Sequence, residues 1–560
     1  ELPALLITAG IDGRHLIGTE TALGVAKLIL EEHREVLDSM TIYIIPRVNP
    51  DGAVRNTNSL TMGYRGNARS TDDDRDRQAN EDGADDLNGD GYITMMRRLE
   101  PPIEDAATHM SDPDDPRMNI KPDTKDGQRA VFTLYTEGID NDEDGLINED
   151  GFGLVDLNKN FMHRWDEYAM DSGMYQLSEP ESAALAEFVL GHRNIVMSIT
   201  YGSHDNLVNL PDSKGKDASG RAPKGIDAGD VDLYKHASEL YKEATGQKSA
   251  PKGDDAGSFH SWMYAQMGVP SFATAVWVRP EPEKDDDASE DDAETTEEAD
   301  EQDDSGLHPS GIGDISQETI DELVEAYEAE TGEAIDESMM SMVTPEMIVG
   351  FAAQAGVEIQ RIPEEEPEAE TVKDEKSKKK PKSEDAKWLA YFESAGVDGF
   401  VEWEPFDHPT LGPVEIGGFI PLSKINPPAG QLEELVTGQT AFVVSLVESR
   451  PQIEVAGPEV NKLANGLYEI RFAMINEGEM PTSTAYSQSK RTIRPVVIRM
   501  SAEVDRIVTG QRVSRVWGIS ANGGRSEHHW IIRTDRIENE TIEIIDPRFG
   551  NRTLRIGDSL

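Results

Sequence analysis

The residues in this chain best suited to chemistry are oxygen donors. Asp86-Leu87-Asn88-Gly89-Asp90-Gly91-Tyr92-Ile93-Thr94 sets side-chain oxygens at positions 1, 3, 5 and 9 of a turn, with Gly91 at the bend and Ile93 pointing inward. The stretch 140–150 repeats the arrangement, with Asp140, Asp142, Asp144 and Asn148 around Gly145. A third copy, Asp72, Asp74 and Asp76, has Arg77 where the glycine would stand. Calcium takes roughly six to eight oxygens at short range, and alternating carboxylates around a glycine turn supply them. Gly151 occupies position 12 of the second loop, where an EF-hand carries a bidentate Glu, so both loops read as shorter DxDxDG loops. Carboxylates this crowded repel one another unless a cation intervenes, so the expected role of calcium is structural. The plainer alternative is a solvated acidic surface. His260 beside Ser261 does not read as a nucleophilic dyad, because adjacent residues rarely aim side chains at each other.

The rest of the chain must hold these loops in place. It has 560 residues, 37% of them hydrophobic, which is too long for one ordinary core and predicts two or three domains. Asp and Glu number 108 against 53 Lys and Arg, a net charge of −55. Such a surface repels phosphate backbones and anionic lipid headgroups, which argues against nucleic-acid and membrane-surface partners and favours cations. An adaptation to high salt is a further reading of the same charge. No apolar run approaches the roughly 18–20 residues that cross a bilayer. With no cysteine, disulfides, thiolate metal sites and cysteine nucleophiles are excluded. Glu1-Leu2-Pro3 runs directly into an apolar strand without Met or a signal segment, so the chain reads as mature or incomplete, with its upstream part missing.

Residues 1–60 alternate strand (Leu5–Ala9), helix (Thr19–Leu37) and strand (Met40–Ile45). Residues 65–155 turn Asp- and Gly-rich. Regular structure resumes with a helix over Glu179–Leu190, a strand over Ile195–Thr200, a helix over Leu233–Thr245 and a strand over Pro270–Val278. This predicts an α/β fold with a mixed, mostly parallel sheet flanked by helices and interrupted by a calcium-loop insertion. Residues 281–387 form an acidic insertion, expected to be partly disordered, with helical patterns at 320–330 and 345–355. Residues 388–440 complete the first domain, with a helix near 431–436. Residues 441–560 carry strand patterns at Phe442–Val447, Gly466–Asn476, Arg494–Met500, His529–Arg533 and Glu540–Ile545, spaced as in a β-sandwich.

Several segments together resemble the carboxypeptidase A-type zinc carboxypeptidases (the funnelins), particularly bacterial secreted members with calcium loops. They are Ala9-Gly10-Ile11-Asp12-Gly13-Arg14-His15, Pro46-Arg47-Val48-Asn49-Pro50-Asp51-Gly52, Val155-Asp156-Leu157-Asn158-Lys159-Asn160-Phe161, Thr200-Tyr201-Gly202-Ser203 and Ser271–Trp277. The resemblance covers roughly residues 1–280, and it implies the carboxypeptidase-like fold and an extracellular, cell-surface or periplasmic location.

The same resemblance implies zinc held by His and Glu of an HxxE motif and a later His, with a Glu as general base. Here the HxxE slot reads Asp12-Gly13-Arg14-His15, the later ligand position falls on Gly202, and the base position is Ala275. Arg14 matches an arginine of the family's cleft, and Asn158 with Lys159 match the residues that grip a substrate carboxylate. Lysine keeps the charge of the family's arginine but loses its bidentate fork. A hydrolytic zinc site needs three ligands, an open position and a base. Losing the base alone costs about 10²- to 10⁴-fold in rate. The expectation is a catalytically inactive, calcium-stabilised pseudopeptidase that binds a peptide or protein partner and lacks zinc. The alternative is a divergent metallocarboxypeptidase with a displaced zinc on Asp12, His15 and His204.

Overall fold

The computed structural model of the chain describes residues 2–58, 63–70, 77–80, 82–99, 101, 107–125, 127–143, 145, 147–148, 155–217, 219–251, 253–281, 383–546 and 548–559. Asp72, Asp74, Asp76, Asp144 and the helical patterns at 320–330 and 345–355 lie outside the described residues. Residues 1–280 and 381–560 form one compact unit, and 281–380 form a second.

In the first unit, β1 (Ala4–Ala9) is buried along its whole length, as a strand covered on both faces must be. Helix α1 (Leu16–Glu32), β2 (Thr41–Ile45) and α2 (Pro50–Asn58) follow. The segment expected to be irregular contains β3 (Met95–Leu99), β4 (Met110–Ser111), β5 (Asn119–Ile120) and β6 (Phe132–Thr136). Next come α3 (Pro180–Gly191), β7 (Ile195–Tyr201), α4 (Val231–Thr245), α5 (Phe259–Trp262) and β8 (Ser271–Thr274). Strands β2, β1, β7 and β8 pair in that order, all parallel.

Alternation along β1 assigns its side chains to two layers. Leu5, Ile7 and Ala9 join a cluster with Val25 and Ile29 of α1 and Tyr234 and Tyr241 of α4. Ala4 and Leu6 join Leu185 and Val189 of α3 with Phe161, Phe259 and Trp262.

After the second unit the chain returns through α6 (Glu384–Ala395), β9 (Phe400–His408), β10 (Gly412–Phe419) and α7 (Leu432–Glu448). Strands β9 and β10 join β3 and β6 in an antiparallel sheet ordered β6-β3-β10-β9, which pairs Arg98 of the Asp-rich segment with Val414, far along the chain. Helix α7 corrects one expectation: Phe442–Val447 is helical, not a strand. Its buried positions Val436, Gln439, Val443 and Leu446 recur at three- and four-residue spacing, and they pack on the α/β layer. The expected boundary at 441 therefore falls inside a helix of the α/β part.

The C-terminal region comprises β11 (Ile453–Ala464), β12 (Leu467–Asn476), α8 (Ala485–Lys490), β13 (Val496–Met500), β14 (Ile507–Thr509), β15 (Val513–Val516), β16 (Gly524–Arg533), β17 (Thr541–Ile545) and β18 (Arg552–Arg555). They form two antiparallel sheets, ordered β11-β12-β16-β14 and β15-β13-β17-β18. Ile470, Phe472 and Trp530 of one sheet share a core with Ile498, Ile542 and Ile544 of the other. Asp230, before α4, fixes this region to the α/β part by accepting from Ala485 N at 2.6 Å, Tyr486 N at 3.1 Å and the Tyr264 hydroxyl at 2.7 Å. A side chain at Gly268 would meet Ile493 and Ser487 within 2.6 Å, so the close approach needs glycine there.

Candidate functional site

The loop after β1 carries Asp12, Arg14 and His15, and the Asn-Pro-Asp-Gly segment builds its floor. Asn49 Oδ1 accepts from Gly52 N at 2.9 Å while its Nδ2 donates to Gly66 O at 2.9 Å. Gly13 N donates to Arg65 O at 2.9 Å. A Cβ at Gly52 would stand 2.5 Å from Asn49 Nδ2 and Gly66 O, so this crossing is closed to larger residues. The result is Arg65 held beside Asp12.

Asp12 is buried and fully occupied. Arg14 grips it with Nε at 3.1 Å and Nη2 at 2.9 Å, and the Arg14 backbone N–H adds a bond at 2.9 Å. Arg65 Nε lies 3.5 Å from the same carboxylate, and its Nη1 lies 3.4 Å from Asp156. Burial alone would raise the Asp12 carboxyl; the Arg14 guanidinium outweighs it and holds the group below its ordinary range. Asp156 goes the other way: burial, then the Asp12 charge, push it up to about 6.

His15 is buried, and its Nε2 donates to Ala275 O at 2.9 Å. A carbonyl only accepts, so the proton sits on Nε2 and the ring is neutral, as burial also favours. Its Nδ1 finds no partner among the described residues. Val276, next to Ala275, has φ +63°, unusual for a β-branched residue. Its N–H donates to Thr274 Oγ1 at 3.0 Å, and that hydroxyl lies 2.6 Å from the Tyr241 hydroxyl.

His204 points elsewhere. Asn158 Nδ2 donates to its Nδ1 at 2.7 Å, and its Nε2 donates to Asp254 O at 3.2 Å. Burial lowers its pKa to about 4. Asn158 Oδ1 accepts from Phe259 N at 2.9 Å, so its amide is spent on structure. Lys159 pairs with Asp171. His260 lies 3.2 Å from Asp255 Oδ1 and its ring centroid is 5.4 Å from that of His204, an orienting carboxylate that the sequence did not reveal.

These side chains do not fit a zinc ion. Both Asp12 oxygens face guanidinium groups, both His204 nitrogens are bonded, and position 202 has no side chain. Among the described residues no three His, Asp or Glu side chains gather as a metal-holding group. The Asp12, His15 and His204 site is thus not brought together.

The acidic loops are clasped crosswise. Asp86 accepts from Gly89, Asp90 and Gly91 N–H groups, and Asp90 accepts from Tyr92 N. Asp140 accepts from Glu143 N at 2.7 Å and Gly145 N at 3.0 Å. Glu137, just before the second loop, accepts from Leu87 and Asn88 at the start of the first and from Thr94 N and Oγ1 at its end. Burial raises the Glu137 pKa against these bonds. Asp82, just before the first loop, accepts from Asn141 and Asn148 at the two ends of the second. Thr94 is thereby committed to Glu137, and Asn148 Nδ2 donates to Thr136 O. Carboxylate oxygens have further lone pairs beyond these bonds, so Asp86, Asn88, Asp90 and Asp140 remain compatible with a hard cation. Leu87 and Ile147 pack against Met96, Val414 and Ile416, seating both loops on the β3–β10 sheet.

Residues 1–92 and 126–290 match the family model described as Zinc carboxypeptidase, the gap falling in the segment of the acidic loops. The match supports the zinc carboxypeptidase superfamily for the N-terminal part of this chain. Residues 452–557 match a domain of unknown function (DUF8731). Similar solved structures include bovine thrombin-activatable fibrinolysis inhibitor in complex with tick carboxypeptidase inhibitor, 17% identical, with 49% of this chain and 70% of that one covered and a TM-score of 0.29. A second thrombin-activatable fibrinolysis inhibitor structure is 17% identical, with 49% and 54% covered and a TM-score of 0.29. Carboxypeptidase A from Helicoverpa armigera is 14% identical, with 49% and 52% covered and a TM-score of 0.27. The chain thus spans about half the length of the latter two. No curated protein matches it. No helix among the described residues is long and apolar enough to cross a membrane.

Sequence reasoning missed Arg65, Asp82, Asp156 and Glu137 as site-building residues. Asp156 opens the Asp-Leu-Asn-Lys-Asn-Phe motif, so it carried a usable signal.

Proposed function

We propose that this protein is an exported, catalytically inactive relative of the zinc carboxypeptidases, working as a calcium-stabilised scaffold that binds a peptide or protein partner. The observation that carries the reading is the occupation of Asp12 by Arg14 and Arg65, where the family would place a zinc ligand. A guanidinium there repels a dication. Ala275 can accept no proton, and its carbonyl instead takes the His15 N–H. The cleft keeps three basic side chains, Arg14, Arg65 and Lys159, each paired with an aspartate yet in part exposed, whose remaining N–H groups suit an acidic or C-terminal carboxylate group of a partner. Asp86, Asn88, Asp90, Asp140 and Asp142 are read as calcium donors bracing the scaffold. The paired C-terminal sheets are read as a β-sandwich that serves assembly.

Two measurements on one preparation test this. Purified without chelator, the protein should carry calcium and no stoichiometric zinc, and it should release no C-terminal residue from free peptides with or without added zinc. Peptide hydrolysis that is lost on chelation and in His15→Ala would overturn the inactive reading in favour of a displaced zinc site.

A further inference from the structure

We propose a second ligand site, for a small amphiphilic monoanion (a carboxylate carrying an apolar tail), in the pocket between the α/β layer and the C-terminal β region. The pocket has a volume of ≈ 340 Å³, near the lower end of the roughly 300–1,000 Å³ typical of small-molecule sites. Ile195 begins β7 and Pro270 precedes β8, whereas Asp12, Gly202 and Ala275 follow the far ends of β1, β7 and β8. The pocket therefore opens at the opposite edge of the sheet from the cleft.

Its lining joins two chemistries. Val189, Ile195, Met263, Met267, Val269 and Ile493 make much of the wall apolar, and Arg193, Arg494 and Arg548 supply guanidinium groups without one lining carboxylate. In a chain of net charge −55 that combination runs against the average surface. Arg548 is held from three sides. Its backbone N–H donates to Asp546 Oδ1 at 2.9 Å, its Nη1 donates to Thr482 O at 2.8 Å, and its Cζ lies 5.5 Å from the Phe549 ring centroid. Yet its Nε and Nη2, both buried, make no hydrogen bond among the described residues, although Nε stands 3.5 Å from Asp546. A buried donor left unpaired is costly, but these two atoms have no free surface, so the groups that can meet an anion directly are the exposed guanidiniums of Arg193 and Arg494, with the Arg548 charge behind them. Burial lowers the Arg548 pKa, a penalty that an arriving anion would relieve. Asp546 already neutralises part of the charge, and the aliphatic wall offers no donors. A dianion such as phosphate would lose more hydration than the site returns, while a monoanion with a tail would use both halves of the lining.

Isothermal titration of the full chain at low salt, with octanoate, 1-octanol and inorganic phosphate as probes, tests this. Octanoate is expected to bind at one site per chain, at least tenfold tighter than either other probe. Arg548→Gln, which removes the charge behind the wall, should weaken this binding. Because Arg548 is buried and its replacement can unfold the region, the exposed Arg494→Ala is the deciding variant, expected to weaken octanoate about tenfold with an unchanged melting temperature. Octanol or phosphate binding as tightly as octanoate, multiple octanoate sites, no binding, or full affinity in Arg494→Ala would each overturn the proposal.

Discussion

Replacing Asp12 with Asn keeps the side chain's shape and removes its charge from beneath two guanidinium groups. Removing one partner of a buried ion pair costs about 3–5 kcal/mol. Here Arg14 is 21% exposed and Arg65 42% exposed, so water takes up part of what they lose. The expected loss at about pH 8 is therefore nearer 1–2 kcal/mol. The loss should grow in acid. Asp156 keeps its proton until about pH 6, against 3.8 for an ordinary aspartate. An acid whose folded pKa is raised contributes stability that is lost as pH rises from the ordinary value through the folded one. Part of that elevation comes from the Asp12 charge, after burial. Asp12→Asn thus lowers the Asp156 pKa and lightens the penalty that wild type carries above about pH 6, each unit being worth about 1.4 kcal/mol. Urea unfolding followed by tryptophan fluorescence at about pH 5 and about pH 8 measures both quantities. A variant as stable as wild type at both pH values, or one destabilised equally at both, would refute the coupled charge network.

Three further outcomes follow from the same geometry. Glu137→Gln leaves one acceptor oxygen where two now serve four donors, and it should destabilise the 82–148 segment by about 2 kcal/mol, read as faster limited proteolysis there. Gly268→Ala places a methyl against Ile493 and Ser487 at φ +70°, so unfolding should come about 1–3 kcal/mol earlier, with the C-terminal region loosened from the α/β layer in hydrogen exchange. Ala275→Glu should restore no peptide hydrolysis with zinc present, because Asp12 stays bound by Arg14; release of a C-terminal residue by this single variant would count against that reading.

The parallel sheet was legible because its strands are mostly apolar runs: Ala4–Ala9 and Ile195–Tyr201, broken only by Thr8, Ser198 and Thr200, are buried at every position. The motif loops were legible for a different reason, since Asn49 and Asn158 occupy turns that only particular side-chain bonds can close. Helix α7 was not, because Ala441-Phe442-Val443-Val444 is rich in residues that favour strands, and the packing against α1 and α4 decides the outcome instead. Asp12 was placed at the right position with the wrong neighbours. Nothing in Asp12-Gly13-Arg14 says that the arginine turns back on the aspartate two residues earlier, or that Arg65 arrives from another loop. Position came from spacing, whereas charge state came from three-dimensional proximity.

The crossed clasp of the acidic loops makes them a single thermodynamic object. Each loop is gripped at both ends by a carboxylate that belongs to the other loop's stem, Glu137 for the first and Asp82 for the second. Neither can fray while its neighbour stays in register, and ordering one spares much of the entropy of ordering the other. Any influence that tightens one loop is thus transmitted to the second through two buried side chains, without any movement of the sheet beneath them.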